Sequence, residues 1–308
     1  MKAIVFGGSG FLGSHVADAL SNAGYEVVIY DLKPSPYLRD SQKMVIGDIL
    51  DERTVRNAVK GCEIVYNFAG IADIDEAINK PVDTVKLNIL GNTNILEAAR
   101  LNNINRFVFA SSIYVYSQSG GFYRASKQAC ELFIENYQKI YGLPFTILRY
   151  GSLYGPRADF RNWIYQIIYK AMTSGKITRE GDGEDIREYI HVEDAARGSV
   201  EILKSEYENQ YVILSGHQSI KVKDILTMIK EMLGNNATIE YLPPKDNTHY
   251  TITPYSFNPK IGKKLISHYY LDMGQGIMAC IEDIYSKISR LSKEDGILIE
   301  KEKDLDGR

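Results

Sequence analysis

The chain has 308 residues, 44% of them hydrophobic and 24% charged, and a formal net charge of −3. That length allows one large or two modest domains around a substantial core, and a near-neutral balance without a basic stripe argues against nucleic acid as a partner. No apolar run approaches the roughly 20 residues of a membrane span, and Met1–Phe6 enters a strand pattern without a signal-peptide core, which describes a soluble cytoplasmic protein with no membrane partner.

In chain order, Ala3–Phe6 reads as a buried strand and Phe11–Ala23 as a helix. Further strands follow at Glu26–Tyr30, Lys43–Ile46, Ile64–Phe68, Arg106–Ala110 and Pro144–Arg149, with helices at Asp51–Lys60, Leu87–Leu101 and Tyr123–Tyr141 between them. Continuous apolar strands alternating with helices predict an α/β fold, a doubly wound parallel sheet of Rossmann type covered on both faces. From about Tyr150 the pattern loosens into shorter elements. A helix at Ile220–Leu233 and a strand at Ala237–Leu242, before Pro243 and Pro244, predict a smaller C-terminal α+β lobe. The expected division is a dinucleotide domain over 1–155 with a return segment around 188–215, a substrate lobe over 156–290, and a charged tail over 291–308 that forms a frayed helix or none.

The segment Gly7-Gly8-Ser9-Gly10-Phe11-Leu12-Gly13 stands between the first strand and the first helix. Glycines at 7, 10 and 13 permit a tight turn and close backbone approach, and the helix N-terminus offers free N–H groups to a pyrophosphate. A glycine-rich turn without a ligand is the plainer alternative. Asp31, ending the second strand, is spaced to bind a ribose 2′-hydroxyl, which favours NAD over NADP, although Lys33 nearby softens that preference. Asp48, with Ile49 beside it, is placed for an adenine edge; it is equally a helix N-cap for Asp51–Lys60.

Ser112, Tyr123 and Lys127 lie where the fifth strand runs into a helix. A Tyr and a Lys four residues apart often just share a solvated helix face. Their setting gives the pair weight. With the glycine turn, Asp31, Ser112 and the Tyr123–Lys127 pair in order, the chain resembles the extended short-chain dehydrogenase/reductase family, in its nucleotide-sugar epimerase and dehydratase branch. The likeness runs from about Met1 to Asp283 and includes Asn67-Phe-Ala-Gly70, Asn88-Ile-Leu-Gly91, Leu148–Pro156 and Arg187–Asp194.

The resemblance implies an enzyme that binds NAD on the sheet domain and a nucleoside-diphosphate sugar in the cleft beside the smaller lobe. Tyr123 would be the acid/base, Lys127 its activator and a contact to the nicotinamide ribose, and Ser112 a hydrogen-bond partner of the reacting hydroxyl. Phe68, Ala69, Asn88 and Tyr150 would line the cofactor, and Arg187 would meet the diphosphate, with Ser152 also at the substrate. Chemistry supports these roles. Oxidising an alcohol needs a hydride acceptor, which no side chain is. It also needs a base, and a phenol of pKa about 10 becomes one only beside positive charge.

Three departures narrow the reading. The link Ser117–Phe122 is much shorter than the proline-rich loop of relatives. Ile113 and Tyr114 stand where dehydratases carry an Asp-Glu pair, which disfavours 4,6-dehydration, and Ser152 replaces a common Asn. What remains is hydride transfer at a sugar hydroxyl, most simply C4. It ends in 4-epimerisation, or in release of a keto sugar as in C4-dehydrogenases of nucleotide-linked heptoses in capsule synthesis; a non-catalytic NAD sensor is the third possibility. His15 and His191 read as structural. His217, His249 and His268 lack metal-like spacing, as do the scattered Cys62, Cys130 and Cys280, so no metal site is expected. Trp163 reads as an anchor of the small lobe or an aromatic at the nucleotide base. The broad apolar faces of the Leu87 and Tyr123 helices, which pair across a dimer in relatives, predict a homodimer.

Overall fold

Strand residues at both parities are apolar through the first half of the chain, so each strand must be covered on two sides. The computed structural model describes residues 1–234, 236–243, 252–254, 263–264 and 270–305, with side chains through residue 289. His249, His268 and Pro244 lie outside the described residues, as do the side chains of the charged C-terminal stretch.

The strands are β1 (Lys2–Phe6), β2 (Glu26–Asp31), β3 (Gln42–Ile46), β4 (Ile64–Asn67), β5 (Arg106–Ser112), β6 (Phe145–Tyr150), β7 (Ser152–Tyr154), β8 (Lys176–Glu180), β9 (Ile186–His191), β10 (Gln210–Leu214), β11 (Ser219–Lys221), β12 (Thr238–Leu242) and β13 (Lys263–Lys264). The helices are α1 (Phe11–Asn22), α2 (Glu52–Val59), α3 (Ile74–Asn79), α4 (Pro81–Thr84), α5 (Gly91–Leu101), α6 (Gly121–Tyr141), α7 (Trp163–Ser174), α8 (Val192–Glu201), α9 (Val222–Met232) and α10 (Met273–Leu305). A π-helical turn over Val85–Leu90 leads into α5.

The main sheet has the order β3-β2-β1-β4-β5-β6-β10-β13, every neighbour parallel. Its two faces bury separate cores. Ile4 and Phe6 pack with Val55, Ile95, Leu96 and Ile134 under α2, α5 and α6. Ala3 and Val5 pack with Val16, Leu20, Ala195 and Ala196 under α1 and α8. This is the doubly wound Rossmann arrangement that alternating strands and helices predict. Chain order reverses between β1 and β4, and in open α/β sheets such a reversal is where the ligand crevice lies, at the carboxyl ends of the strands.

A third core, with Ile164, Ile168, Ile177, Ile225, Ile229 and Ile277, joins α7, α9 and α10 to β8. Small sheets β11-β9-β7 and β12-β8 complete that lobe. Several boundaries move. Leu87–Leu101 is not one α-helix, because the π turn inserts a wider loop before Gly91. Ile220 belongs to β11 and the helix begins at Val222. The charged end continues α10 without a break to Leu305. Strands β7 to β10 escaped the sequence reading; β8 (Lys-Ile-Thr-Arg-Glu) and β9 (Ile-Arg-Glu-Tyr-Ile-His) carry charged residues that interrupt any continuous apolar run. Among the described residues no helix is long and apolar enough to cross a membrane.

Candidate active site

Because β1, β2, β4, β5 and β6 are parallel, their C-terminal residues meet along one edge. The register sets Phe6 beside Tyr30 and Asn67, and Ser112 beside Tyr150. The glycine turn leaves β1 at this edge. Gly7 has φ +75°, and a Cβ on it would stand 2.7 Å from the Ala69 nitrogen; one on Gly13 would stand 2.2 Å from the Gly7 oxygen. Only hydrogen fits at either position, so turn, helix and β4 loop close against one another. Gly10 caps α1 without any side-chain hydrogen bond, leaving the first N–H groups of a 12-residue helix to an anion. The cradle and the free helix terminus suit a dinucleotide pyrophosphate.

Asp31 is drawn to the same turn: the Ser9 N–H donates to Oδ2 at 3.0 Å and the Lys33 N–H to Oδ1 at 3.4 Å. Asp48 does not cap α2. Asp51 does, accepting from the Arg53 and Thr54 N–H groups, while Asp48 closes a local turn onto the Leu50 N–H at 2.9 Å. The helix simply starts three residues later than a cap at Asp48 requires. The Ile49 side chain is buried in the sheet core, over Gly91.

Phe68 stacks on Tyr66 at 6.0 Å between centroids and leans on Tyr150 at 6.4 Å. The Tyr150 hydroxyl bonds with Ser199 at 2.6 Å inside the core, and burial pushes its pKa up, so this phenol is a fixed support. Asn88 sits on the π turn and spends its amide on the chain: Oδ1 accepts from the Ile71 N–H at 2.7 Å, and Nδ2 donates to the Ile71 carbonyl and to Ser126 Oγ. Ser126 in turn donates to the Tyr123 carbonyl at 2.8 Å. Asn88 thus ties the loop after β4 to the first turn of α6.

That first turn carries Tyr123, and the next carries Lys127. Gly120 and Gly121 take positive φ, +97° and +47°, which lets the short link turn sharply into α6. Tyr123 lies in the first turn of a 21-residue helix, near its electropositive end. It is buried among Ile71, Ile74, Leu87 and Tyr114. Lys127, one turn on, donates from Nζ to the Ala110 carbonyl at 2.8 Å, two residues before Ser112 on β5. The ammonium lies 5.7 Å from the Tyr123 ring centroid and 4.9 Å from that of Phe109. Burial lowers the Lys127 pKa, and the Glu131 carboxylate opposes that shift. Ser112 Oγ accepts from the Tyr114 N–H at 3.3 Å, and the Tyr114 ring meets Tyr123 edge-on at 6.2 Å. Ser112, Tyr123 and Lys127 therefore gather around the carboxyl end of β5.

Ser152 and Arg187 lie on the small β11-β9-β7 sheet that continues from β6, with Ser152 opposite Tyr189. Trp163 stacks on Tyr189 and lies under the Arg179 guanidinium. His15 bonds through Nε2 to the Pro156 carbonyl at 3.0 Å, and His191 caps α8; burial holds both imidazoles near pKa 4, hence neutral. Sequence reasoning missed Tyr114, Ser126 and the buried Glu131–Arg149 pair. Glu131, four residues beyond Lys127, was the available signal.

Fold and crevice define a dinucleotide-binding oxidoreductase of Rossmann type. The chain belongs to the NAD dependent epimerase/dehydratase family, whose sequence model matches residues 3–213; it is an enzyme of that family and its cofactor is NAD. It is similar to the low-salt glycan biosynthesis protein Agl12 of Haloferax volcanii, 28% identical over 79% of this chain and 86% of that protein. It is also similar to the UDP-glucuronate 4-epimerase of Thermodesulfobacterium geofontis, 27% identical over 78% of this chain and 83% of the relative. Among solved structures, an epimerase from Methanothermobacter thermautotrophicus shares the fold with a TM-score of 0.83, covering 95% of this chain and 94% of its own, at 24% identity.

Proposed function

We propose that the protein interconverts nucleoside-diphosphate sugars at C4 by oxidation and re-reduction. The observation that carries this is the buried Tyr123–Lys127 pair at the head of α6, beside Ser112 and against the crevice between β1 and β4. NAD, bound at the glycine turn, supplies the hydride acceptor that no side chain provides. Ser112 holds the reacting hydroxyl, and Tyr123 takes its proton and later returns one. The Lys127 ammonium and the helix terminus both favour the phenolate this requires. The neighbours Ile113, fully buried, and Tyr114 supply no carboxylic acid, so elimination of water has no acid and base there. The 4-epimerase among the relatives supports the same outcome.

The sheet domain would occupy 1–155 with its return segment around 188–215, and the lobe over 156–290 would seat the sugar nucleotide, with Arg187 and Ser152 toward its phosphates. Leu90, Leu101, Leu132, Phe133, Ile140 and Tyr141 are exposed on the π turn, α5 and α6. We assign that face to a homodimer; a monomer at micromolar concentration in light scattering would refute it. Three free, buried thiols suit a reducing compartment, the cytoplasm.

The test is purified protein with NAD against UDP-, GDP-, dTDP- and CDP-sugars, followed by NADH absorbance and sugar NMR. Inverted configuration without net NADH is the expected result. A lasting NADH signal identifies a dehydrogenase that releases a keto sugar, and silence across the panel points to an NAD sensor.

A further inference from the structure

Directly behind the reactive corner lies a buried polar network that the chemistry above does not use. Arg149, at the end of β6, is 1% exposed and Glu131, on α6, is 4% exposed. The guanidinium grips the carboxylate twice, Nε to Oε1 at 3.0 Å and Nη2 to Oε2 at 2.6 Å. It is sandwiched between the rings of Tyr116 and Tyr211, 4.6 and 4.4 Å from their centroids, and Nη1 donates to the Tyr116 hydroxyl. Ser111, adjacent to Ser112, donates to Glu131 Oε1 at 2.6 Å. The members stand on β5, on the 3₁₀ turn over Ile113–Tyr116, on α6, β6 and β10, the elements that surround Ser112, Tyr123 and Lys127.

An ion pair this deeply buried contributes little net stability, because desolvation offsets the attraction, and an apolar pair of the same volume is often as stable. Its placement suggests another use. Lys127 and Glu131 are four residues apart on one helix, so their side chains share a face. An unclaimed carboxylate there would draw the ammonium toward itself and lower the positive potential felt by the Tyr123 phenol. Claimed by Arg149 on its far side, Glu131 is neutralised and Lys127 stays on the Ala110 carbonyl, over the Tyr123 ring.

We propose that Arg149 is a positioning residue: by holding the Glu131 carboxylate it keeps the charge of Lys127 directed at Tyr123 and so sets the pH at which Tyr123 accepts a proton. The inference rests on Tyr123 being the acid/base. The other charged groups around α6 are engaged elsewhere or face solvent. Asp73 caps α3, Glu76 pairs with Lys80, and Asp75, Asp83 and Lys86 are exposed. Glu97 pairs with Arg100 near the far end of α6, Arg124 bonds to the Ser117 carbonyl, and Glu135 accepts from the Tyr211 hydroxyl. Cys130 is held protonated, its pKa pushed up to about 12 by burial, with its thiol on the Asn88 carbonyl. That leaves Glu131 as the anion that can compete for Lys127.

The experiment compares three variants, Arg149→Met, Glu131→Gln and the double variant. The readouts are the acid limb of the pH–rate profile and, independently of any substrate, near-ultraviolet phenolate titration of the NAD-bound protein with the Tyr123→Phe spectrum subtracted. Arg149→Met, leaving a lone carboxylate, raises the Tyr123 midpoint by about one pH unit, roughly tenfold in rate below it. Glu131→Gln, leaving a lone guanidinium, lowers it, and the neutral double variant returns it to within a few tenths of a unit of the parent. Opposite shifts cancelling in the double variant are a signature that loosened packing cannot mimic. If Arg149→Met does not fold, the downward shift in Glu131→Gln and its reversal in the double variant carry the same test. Midpoints that stay fixed, or that move in one direction in all variants, overturn the inference while leaving Tyr123 as the base. A parent protein with no Tyr123 titration below about pH 9 overturns the acid/base reading itself.

Discussion

The two sides of the crevice solve their problems with different materials. Around β1, β2 and β4 the site is made of backbone and of room: glycines where a Cβ would stand 2.2 to 2.7 Å from backbone atoms, an uncapped helix terminus, and one carboxylate turned to that loop. Around β5, β6 and α6 it is made of side chains, with a buried lysine, a buried ion pair and a serine-to-carboxylate bond interlocked across several elements. The lesson concerns substitution. The first side is sensitive to an added atom, and the second to a charge removed without its partner.

Breaking each side separately tests that contrast. Tyr123→Phe should have the largest effect, a loss of about a thousandfold or more in turnover. NAD affinity, read by quenching of protein fluorescence, should change little. Equal loss of both would mean that Tyr123 shapes the cofactor site rather than the proton path. Gly13→Ala should do the reverse on the other side. The added methyl meets the Gly7 carbonyl, the turn must open, and NAD binding should weaken by about a hundredfold. Unchanged affinity in calorimetry would show that the turn does not clasp the pyrophosphate.

The joint between the halves supplies a third probe. His15 on α1 bonds to Pro156, and His191 caps α8 behind Gly155. Both are held near pKa 4 from an ordinary 6.5, so the unfolded chain binds their protons first. Stability is therefore full above pH 6.5 and falls as pH drops toward 4, by up to about 3 kcal/mol for each histidine. Urea unfolding from pH 7 to pH 4 should show that slope, and His15→Gln should flatten it. A slope identical in the variant would assign acid lability to other groups. The smallest effect is expected from Asp31→Asn, about a tenfold weaker hold on NAD and a narrower gap to NADP. An unchanged ratio of the two affinities would remove Asp31 from the ribose.

What could be read without coordinates follows from locality. Apolar periodicity fixes the central strands and their helices, and glycines at 7, 10 and 13 mark a tight strand-turn-helix, because both depend on neighbours in the chain. The pair Tyr123 and Lys127 was legible for the same reason, being one helical turn apart. Register, in contrast, belongs to the folded sheet. The pairing of β5 with β6 sets Ser112 beside Tyr150, and the buried grip of Arg149 on Glu131 joins residues 18 apart across a strand and a helix. Asn88 turned inward to Ile71 and Ser126, and the cap passed from Asp48 to Asp51, because hydrogen-bonding groups there were satisfied by geometry that no spacing rule records. Sequence alone determined the fold class and the cofactor, and set Tyr123 and Lys127 one helical turn apart, through patterns local to each element of the chain. The environment that gives that pair its charge exists only once distant strands have closed around it, since burial and mutual orientation are properties of the packed structure.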